Sequence, residues 1–142
     1  MKQAPDFSLP TLNSENRWSL ADASKKVTLL TFWTSWCPDS QRDLQAKHAL
    51  YQSMETNEME MVMIHVTGRD PEMNVASFLE ENAYTFPVLK DEGTKVYDLY
   101  HCMGVPTTVL LNEKKEVAFI YHDKATIMDI MKGIASLLSA NH

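Results

Sequence analysis

The apolar residues of this chain follow two different periods, and the changes of period predict strands separated by helices. Residues 27–33 and 59–66 are nearly continuous apolar runs rich in methionine, β-branched and aromatic residues. Such runs are typical of strands buried on both faces. Shorter apolar runs bounded by turn residues predict further strands; they lie at 7–9, 17–19, 86–89, 107–111 and 116–121.

Helical periods follow several of these strands. Pro38 suits the first turn of a helix over 38–53, since its missing N–H has no partner there. The pair Asp70-Pro71, a capping side chain followed by proline, predicts a second helix that runs to about residue 82. Residues 94–100 predict a short third helix. From Thr126 onward the apolar positions again have the helical period, with a capping-box spacing to Asp129.

The order of these elements predicts an α/β fold. Strands separated by helices imply parallel crossovers, and the late pair of strands around a turn at 112–115 adds an antiparallel hairpin. We therefore expect a mixed central sheet flanked by helices, with short N-terminal strands. A chain of 142 residues is long enough for a sizeable core, and we expect residues 1–142 to form one domain.

Charge and composition exclude several kinds of partner. The net charge is −6, whereas nucleic acids and anionic membrane surfaces bind basic patches. No apolar stretch reaches the length that spans a bilayer, and no signal segment precedes Ala4, so the chain as written is expected to be cytoplasmic. Two cysteines are too few for a disulfide scaffold.

Cys37 is the candidate for chemistry. It lies between the predicted buried strand and the helix that Pro38 opens, directly after Trp36. Unpaired N–H groups and the helix dipole favour a thiolate at such a position, and the thiolate is the reactive form. Trp36 would offer a flat apolar face to a partner chain. A buried structural cysteine is the alternative, since cysteine is often buried.

Four motifs carry a resemblance to a known family. The segment Trp36-Cys37-Pro38-Asp39-Ser40 resembles the Trp-Cys-x-x-Cys active site of thioredoxin-like proteins. In order along the chain, residues 4–9, 86–88 and 104–112 also resemble the TlpA/ResA branch of thiol-disulfide oxidoreductases. This resemblance implies a thioredoxin-like fold and disulfide exchange on protein thiols and disulfides. It implies no organic cofactor or metal and is compatible with a monomer and with an extracytoplasmic site.

The resemblance also implies roles for individual residues. Cys37 matches the attacking thiol, and Pro106 matches a cis-proline that faces the active site. Val105, the residue before that proline, would offer backbone groups to the substrate strand. Trp36, Pro38, Val105 and Pro106 would together shape the groove for a partner.

Position 40 departs from the family pattern. Ser40 stands where the family has its resolving cysteine, so it can donate a hydrogen bond to the thiolate but cannot break a mixed disulfide. It is either the natural residue of a monothiol protein or a replacement that traps the adduct. Cys102, four residues before Pro106, is the other thiol: a resolving thiol or, in the favoured interpretation, a small apolar residue that packs under the loop.

Charged residues near the motif raise further expectations. Asp39 places a negative charge close to the thiol, which opposes ionisation, and Arg69 is the candidate to offset it. Thr31 stands where thioredoxins have a buried acid. Asp43 matches an acidic family position on the first helix and is expected on the solvated side.

Two other functions remain open. A peroxiredoxin-like thiol peroxidase has threonine three residues before its cysteine, as Thr34 is here, although Leu30 replaces an expected proline. A redox-inactive binding module would keep the fold with an unreactive Cys37. A metal site made of Cys37, His101 and Cys102 is disfavoured, because the family's copper proteins use a Cys-x-x-x-Cys pair that this chain lacks.

Overall fold

A six-stranded mixed sheet organises the computed structural model, which describes residues 2–12, 14–54, 57–70 and 74–140. The strands are β1 (Lys2–Gln3), β2 (Ser8–Pro10), β3 (Arg17–Ser19), β4 (Val27–Trp33), β5 (Met59–His65), β6 (Val88–Lys90), β7 (Thr107–Leu111) and β8 (Glu116–Tyr121). The helices are α1 (Pro38–Ser53), α2 (Val75–Glu81), α3 (Lys95–Leu99) and α4 (Ile127–Ala140), and two 3₁₀ turns cover Leu20–Asp22 and Thr67–Arg69.

The sheet has the strand order β1-β8-β7-β4-β5-β6. Strands β4, β5 and β6 are parallel, joined by crossovers through α1 and α2, whereas β7, β8 and β1 continue the sheet in antiparallel pairs. The antiparallel β2–β3 pair forms a separate two-stranded sheet. This is the mixed sheet that the order of predicted strands and helices along the chain indicates. Strand β1 was not predicted, since two polar residues carry no apolar pattern.

The start of the second helix differs from the prediction. Helix α2 begins at Val75, and the side chain of Asn74 caps it by accepting from the N–H of Ser77 at 3.1 Å. Asp70 is not a helix cap; its carboxylate accepts hydrogen bonds from Ser35 instead. Pro71, the other half of the predicted start signal, lies outside the described residues. The predicted helix start at Asp70 is therefore wrong, and the helix begins at Val75 with Asn74 as its cap.

Helix α4 begins as its sequence predicts. Thr126 N–H donates to the Asp129 carboxylate at 3.1 Å, and Asp129 N–H donates to the Thr126 hydroxyl at 3.2 Å. These reciprocal bonds are a capping box with aspartate in place of the usual glutamate. They lower the pKa of Asp129, because they favour its charged form.

The central strands β4 and β7 are buried along their whole length, which places the end of β4 inside the protein. Alternate residues of β4 belong to two hydrophobic clusters, one on each face of the sheet. Leu30 and Phe32 pack with the N-terminal segment and α3, whereas Leu29 and Trp33 pack with α1, α2 and α4. Residue Thr31 therefore faces the same side as α1. All seven residues of β4 are buried, so the strand is a fixed base for the loop that follows it.

Gly68 lies where two turns approach closely. Its N–H donates to Gly93 O at 2.9 Å, and a Cβ at Gly68 would lie 2.9 Å from both the carbonyl carbon of Gly93 and Cγ2 of Thr94. We expect Gly68→Ala to lower the free energy of unfolding by about 1–3 kcal/mol, because backbone must move to admit the methyl group. Urea unfolding measures this difference.

Gly104→Ala is the matched control for that substitution. A Cβ at Gly104 would meet no atom within 4 Å. Its effect on the free energy of unfolding should stay within about 0.5 kcal/mol. Equal effects of the two variants would show that the contact with Gly93 is not the cause.

Candidate active site

Cys37 lies at the boundary between the loop after β4 and helix α1. It is the N-cap residue of α1, its carbonyl accepts the N–H of Gln41 at 2.9 Å, and Pro38 occupies the first turn. The side chain is half-buried, so the sulfur is neither sealed in the core nor fully exposed. The first turn of a helix has unpaired N–H groups, so the sulfur lies at the electropositive end of α1.

The loop before β7 meets the sulfur from the other side. The Val105–Pro106 peptide bond is cis, as predicted, and Cys37 Sγ lies 3.7 Å from the carbonyl oxygen of Val105. Val105 is half-buried and Pro106 is buried, while Thr107 Oγ1 donates to Gly104 O at 2.7 Å and shapes the loop. The fold therefore brings together the two segments that the sequence motifs single out.

Exposed apolar side chains flank this junction. Trp36 is 58% exposed, and its indole N–H donates to Arg69 O at 2.8 Å, which fixes the ring on the surface. Met103, in the loop before Pro106, is 93% exposed, and Pro38 is also exposed. Apolar surface on both sides of a half-buried thiol is suited to contact with another chain.

Ser40 is fully buried beneath this surface. Its hydroxyl accepts the N–H of Thr34 at 3.4 Å, and so ties the first turn of α1 to the start of the preceding loop. Within the described residues, the hydrogen-bond contact of the Cys37 sulfur is with Val105 and not with Ser40. The expected hydrogen bond from Ser40 to a thiolate stays a prediction for the ionised state.

Cys102 is a free thiol that packs against the core. It is half-buried beside the cluster that contains Tyr97 and Tyr100, and Cys37 is likewise free. Burial raises the pKa of Cys102 to about 12, although a hydrogen bond with Thr107 acts in the opposite direction. The thiol is therefore protonated at neutral pH, which opposes a resolving role and favours the packing interpretation.

Asp39 is balanced by cations other than the one expected. Its carboxylate pairs with Arg42 and lies 3.6 Å from Lys124 Nζ. Arg69 instead lies over the ring of Tyr97, 5.4 Å from its centroid, so the expectation that Arg69 offsets Asp39 is wrong. The negative charge within the motif is thus paired locally on α1 and with the loop before α4.

A buried lysine lies on the inner face of α1. Lys47 has no exposed surface, and its Nζ donates to Asp43 Oδ2 and Thr31 Oγ1, each at 2.7 Å, and to Thr108 Oγ1. Asp43 is only 14% exposed, so its predicted place on the solvated side is wrong. The cluster ties α1 to β4 and to β7, two residues after Pro106.

Lys47 was missed at the sequence level, yet the helical period contains the signal. Ser40, Leu44 and Lys47 are the buried residues of α1, at spacings of four and three. A charged residue on the buried face of a helix needs a partner of opposite charge. Asp43, four residues before Lys47, is in the position to form such an ion pair. Burial lowers the pKa of Lys47 and Asp43 raises it, with a net lowering.

Among the described residues, no three His, Cys, Asp or Glu side chains are grouped so as to hold a metal ion. No helix in the described part of the chain is long and apolar enough to cross a bilayer.

Comparison with known proteins agrees with this geometry. Residues 1–120 match the AhpC/TSA family. The thiol-disulfide oxidoreductase ResA of Halalkalibacterium halodurans is 32% identical over 120 residues, which are 84% of this chain and 66% of that protein. The thioredoxin-like protein YneN of Bacillus subtilis is 36% identical over 121 residues, 84% of this chain and 69% of that protein. The matches thus span about two thirds of these relatives.

Solved structures share the fold. StoA of Bacillus subtilis has a TM-score of 0.78 and 25% identity, covering 94% of this chain and 98% of its own. A DsbF homologue from Corynebacterium diphtheriae has a TM-score of 0.81 and 25% identity, covering 94% and 85%. The chain therefore belongs to the AhpC/TSA family, and it has the thioredoxin-like fold of the ResA-type thiol-disulfide oxidoreductases.

Proposed function

We propose that this protein is a thiol-disulfide oxidoreductase that exchanges protein disulfides through Cys37 alone. The observation that carries the proposal is the position of the sulfur, at the N-terminus of α1 and 3.7 Å from the carbonyl oxygen of Val105 in the cis-proline loop. The names of ResA and of the Bacillus subtilis sporulation thiol-disulfide oxidoreductase A, 30% identical over 112 residues, support the same class of reaction.

The first step forms a mixed disulfide. The Cys37 thiolate attacks one sulfur of a disulfide in the partner, a new S–S bond forms to Cys37, and the partner's S–S bond breaks. The displaced sulfur leaves as a thiolate and takes a proton from water. An extended partner segment beside Val105 would place its disulfide in line with the sulfur, with Trp36, Pro38 and Pro106 lining the groove.

The second step needs a thiol from outside the chain. Ser40 is a buried alcohol, and Cys102 is a half-buried thiol with a pKa of about 12, so neither is suited to attack the adduct. A thiol of the same partner attacks the sulfur it shares with Cys37, a rearranged disulfide forms, and Cys37 leaves as a thiolate. One disulfide is consumed and one is made, so the net reaction is isomerisation and requires no added reductant.

The setting of this reaction follows from its substrate. Protein disulfides persist mainly in oxidising compartments, so we propose an extracytoplasmic site of action. Residues 1–142 would act as one domain, because both core clusters share the same sheet, and we propose that this domain acts as a monomer.

Ser40→Cys tests the single-thiol mechanism. Residues three apart on a helix lie within the range of a disulfide, so a cysteine at 40 would break the adduct on Cys37. With scrambled ribonuclease as substrate and no added reductant, the unaltered protein should accumulate the mixed disulfide and restore ribonuclease activity. Ser40→Cys should lower the adduct at least about tenfold and release reduced ribonuclease thiols. Mass spectrometry after acid quenching measures the adduct.

Two results would contradict the proposal. One is an adduct that is already scarce in the unaltered protein and equally scarce in Ser40→Cys, which would mean that another group resolves it. The other is peroxide consumption, coupled to oxidation of dithiothreitol, that is faster than ribonuclease reactivation. That second result would support the peroxiredoxin-like alternative, to which Thr34 and the AhpC/TSA family match point.

A further inference from the structure

The loop that carries Cys37 has little backbone pairing of its own. Residues 34–37 join β4 to α1 without regular secondary structure. Backbone polar groups in such a buried segment need partners elsewhere in the molecule. Ser35, two residues before Cys37 and only 6% exposed, is the residue whose partners hold this loop.

Every polar group of Ser35 is hydrogen-bonded. Its N–H and its hydroxyl both donate to Oδ2 of Asp70, at 2.6 and 2.7 Å, and its carbonyl accepts from Gln41 Nε2 at 2.7 Å. The same Asp70 oxygen lies 3.0 Å from Nε2 of buried His65. One carboxylate oxygen of Asp70 therefore has three hydrogen-bond partners directly behind the active-site loop.

Asp70 keeps its charge in this setting. Burial raises its pKa, but hydrogen bonds from Ser35 and His65 outweigh burial, and the pKa lies below its ordinary value. A carboxylate that accepts charge-assisted hydrogen bonds holds its donors more firmly than a neutral acceptor does.

The residues around Asp70 hold the loop as well. Arg69 O accepts the indole N–H of Trp36, so adjacent residues of one turn fix both Ser35 and Trp36. That turn is itself anchored, because Thr67 Oγ1 donates to Asp91 O at 2.7 Å and Gly68 N–H donates to Gly93 O at 2.9 Å. The turn at Thr67–Asp70 is thus a rigid support beneath the active-site loop.

We propose that Asp70 is a positioning residue for disulfide exchange: through Ser35 it orients Trp36 and Cys37 toward the Val105 loop, so that a protein disulfide meets the sulfur in line. Asp70 acts through the loop and does not touch the partner. Misplacement of a reacting group by about 1 Å can cost two orders of magnitude in rate, so a loosened loop should slow exchange strongly. The inference rests on the proposed reaction of Cys37.

Asp70→Asn tests the proposal with two reagents. The first is a decapeptide whose single cysteine is activated as a mixed disulfide with 5-thio-2-nitrobenzoate, and release of thionitrobenzoate reports attack by Cys37. The second is iodoacetamide, which needs the thiolate but not the groove. We expect Asp70→Asn to slow reaction with the peptide about tenfold and to change alkylation by less than about threefold. Ser35→Ala, which keeps the backbone N–H, should give a smaller loss with the same selectivity.

Asp91→Asn is the matched control, because it changes only the side chain and keeps the backbone carbonyl that accepts from Thr67. Asp91 is another buried carboxylate, and it accepts backbone N–H groups of Glu92, Val96 and Tyr97 at the start of α3. Both substitutions should lower the midpoint of urea unfolding, but only Asp70→Asn should slow reaction with the peptide when the proteins are compared in their folded state.

The outcomes separate this inference from the proposed function. If the unaltered protein fails to react with the peptide, the proposed function is wrong. If it reacts but Asp70→Asn reacts equally fast, the positioning role is wrong while the function stands. The positioning role would also be wrong if Asp70→Asn reacted more slowly with the peptide and with iodoacetamide to the same degree. An equal loss of the peptide reaction rate in Asp91→Asn would have the same meaning.

Discussion

Replacing Cys37 with serine is expected to abolish disulfide exchange, with a loss of at least about a thousandfold in the rate of adduct formation. A serine hydroxyl is un-ionised at neutral pH and cannot form an S–S bond, and the half-buried sulfur beside Val105 would be gone. Release of thionitrobenzoate from the activated decapeptide measures the rate of adduct formation. Reactivation of scrambled ribonuclease measures exchange on a protein substrate. Substantial residual exchange would mean that the reaction does not use Cys37.

Cys102→Ser is the control for that result. Because Cys102 is protonated and packed against the core, its replacement should leave adduct formation within about threefold of the unaltered protein. The mixed disulfide should also persist for the same time. An adduct that lasts much longer in Cys102→Ser would identify Cys102 as the resolving thiol and would contradict the single-thiol mechanism.

Lys47→Ala is expected to give the largest loss of stability, about 3–5 kcal/mol in the free energy of unfolding. The substitution leaves Asp43 without its ion pair and removes the donor that Thr31 and Thr108 share on the sheet. It also opens a cavity on the inner face of α1. Guanidinium unfolding, followed by circular dichroism, measures the difference.

Two comparisons isolate the cause of that loss. Lys95→Ala breaks an exposed pair with Glu92, in which both side chains are at least half exposed, and should cost less than about 1 kcal/mol. The double variant Lys47→Met, Asp43→Leu removes both charges and restores apolar volume, so it should recover most of the loss. A double variant as unstable as Lys47→Ala would assign the effect to lost hydrogen bonds of the threonines instead of to an unpaired charge.

The pH dependence of stability should change as well. The pKa of Lys47 is lowered in the folded protein from the ordinary value of 10.5. At pH values between the folded-state pKa and 10.5, the unfolded chain therefore binds more protons than the folded protein. Stability contributed by this group therefore rises with pH through that interval. Lys47→Met should remove this rise, which unfolding midpoints at alkaline pH would reveal.

Much of the scaffold follows from local pattern. The bounds of β4, α1, β7 and β8 agree with the prediction, because apolar runs mark the three strands and Pro38 marks the start of the helix. The pairing of Cys37 with the Val105–Pro106 loop is not local, since 68 residues separate Cys37 from Val105. It was predicted only through family resemblance.

The parts that were missed depend on contacts between distant segments. Asp70 has the local pattern of a helix cap, but its partner Ser35 lies 35 residues away, and tertiary hydrogen bonds decided its role. Lys47 looks like an ordinary helix-surface residue until the burial of Ser40 and Leu44 defines the inner face. The two residues of β1 gain strand structure only by pairing with β8.

The burial of Ser40 has a consequence for the history of this protein. Serine and cysteine differ by a single atom in the side chain, and some of their codons differ by a single base. The Ser40 side chain is fully buried and accepts from Thr34 N, so a thiol at this position would be enclosed in the same way. A single base change in a suitable serine codon would therefore place a second thiol one helical turn from Cys37.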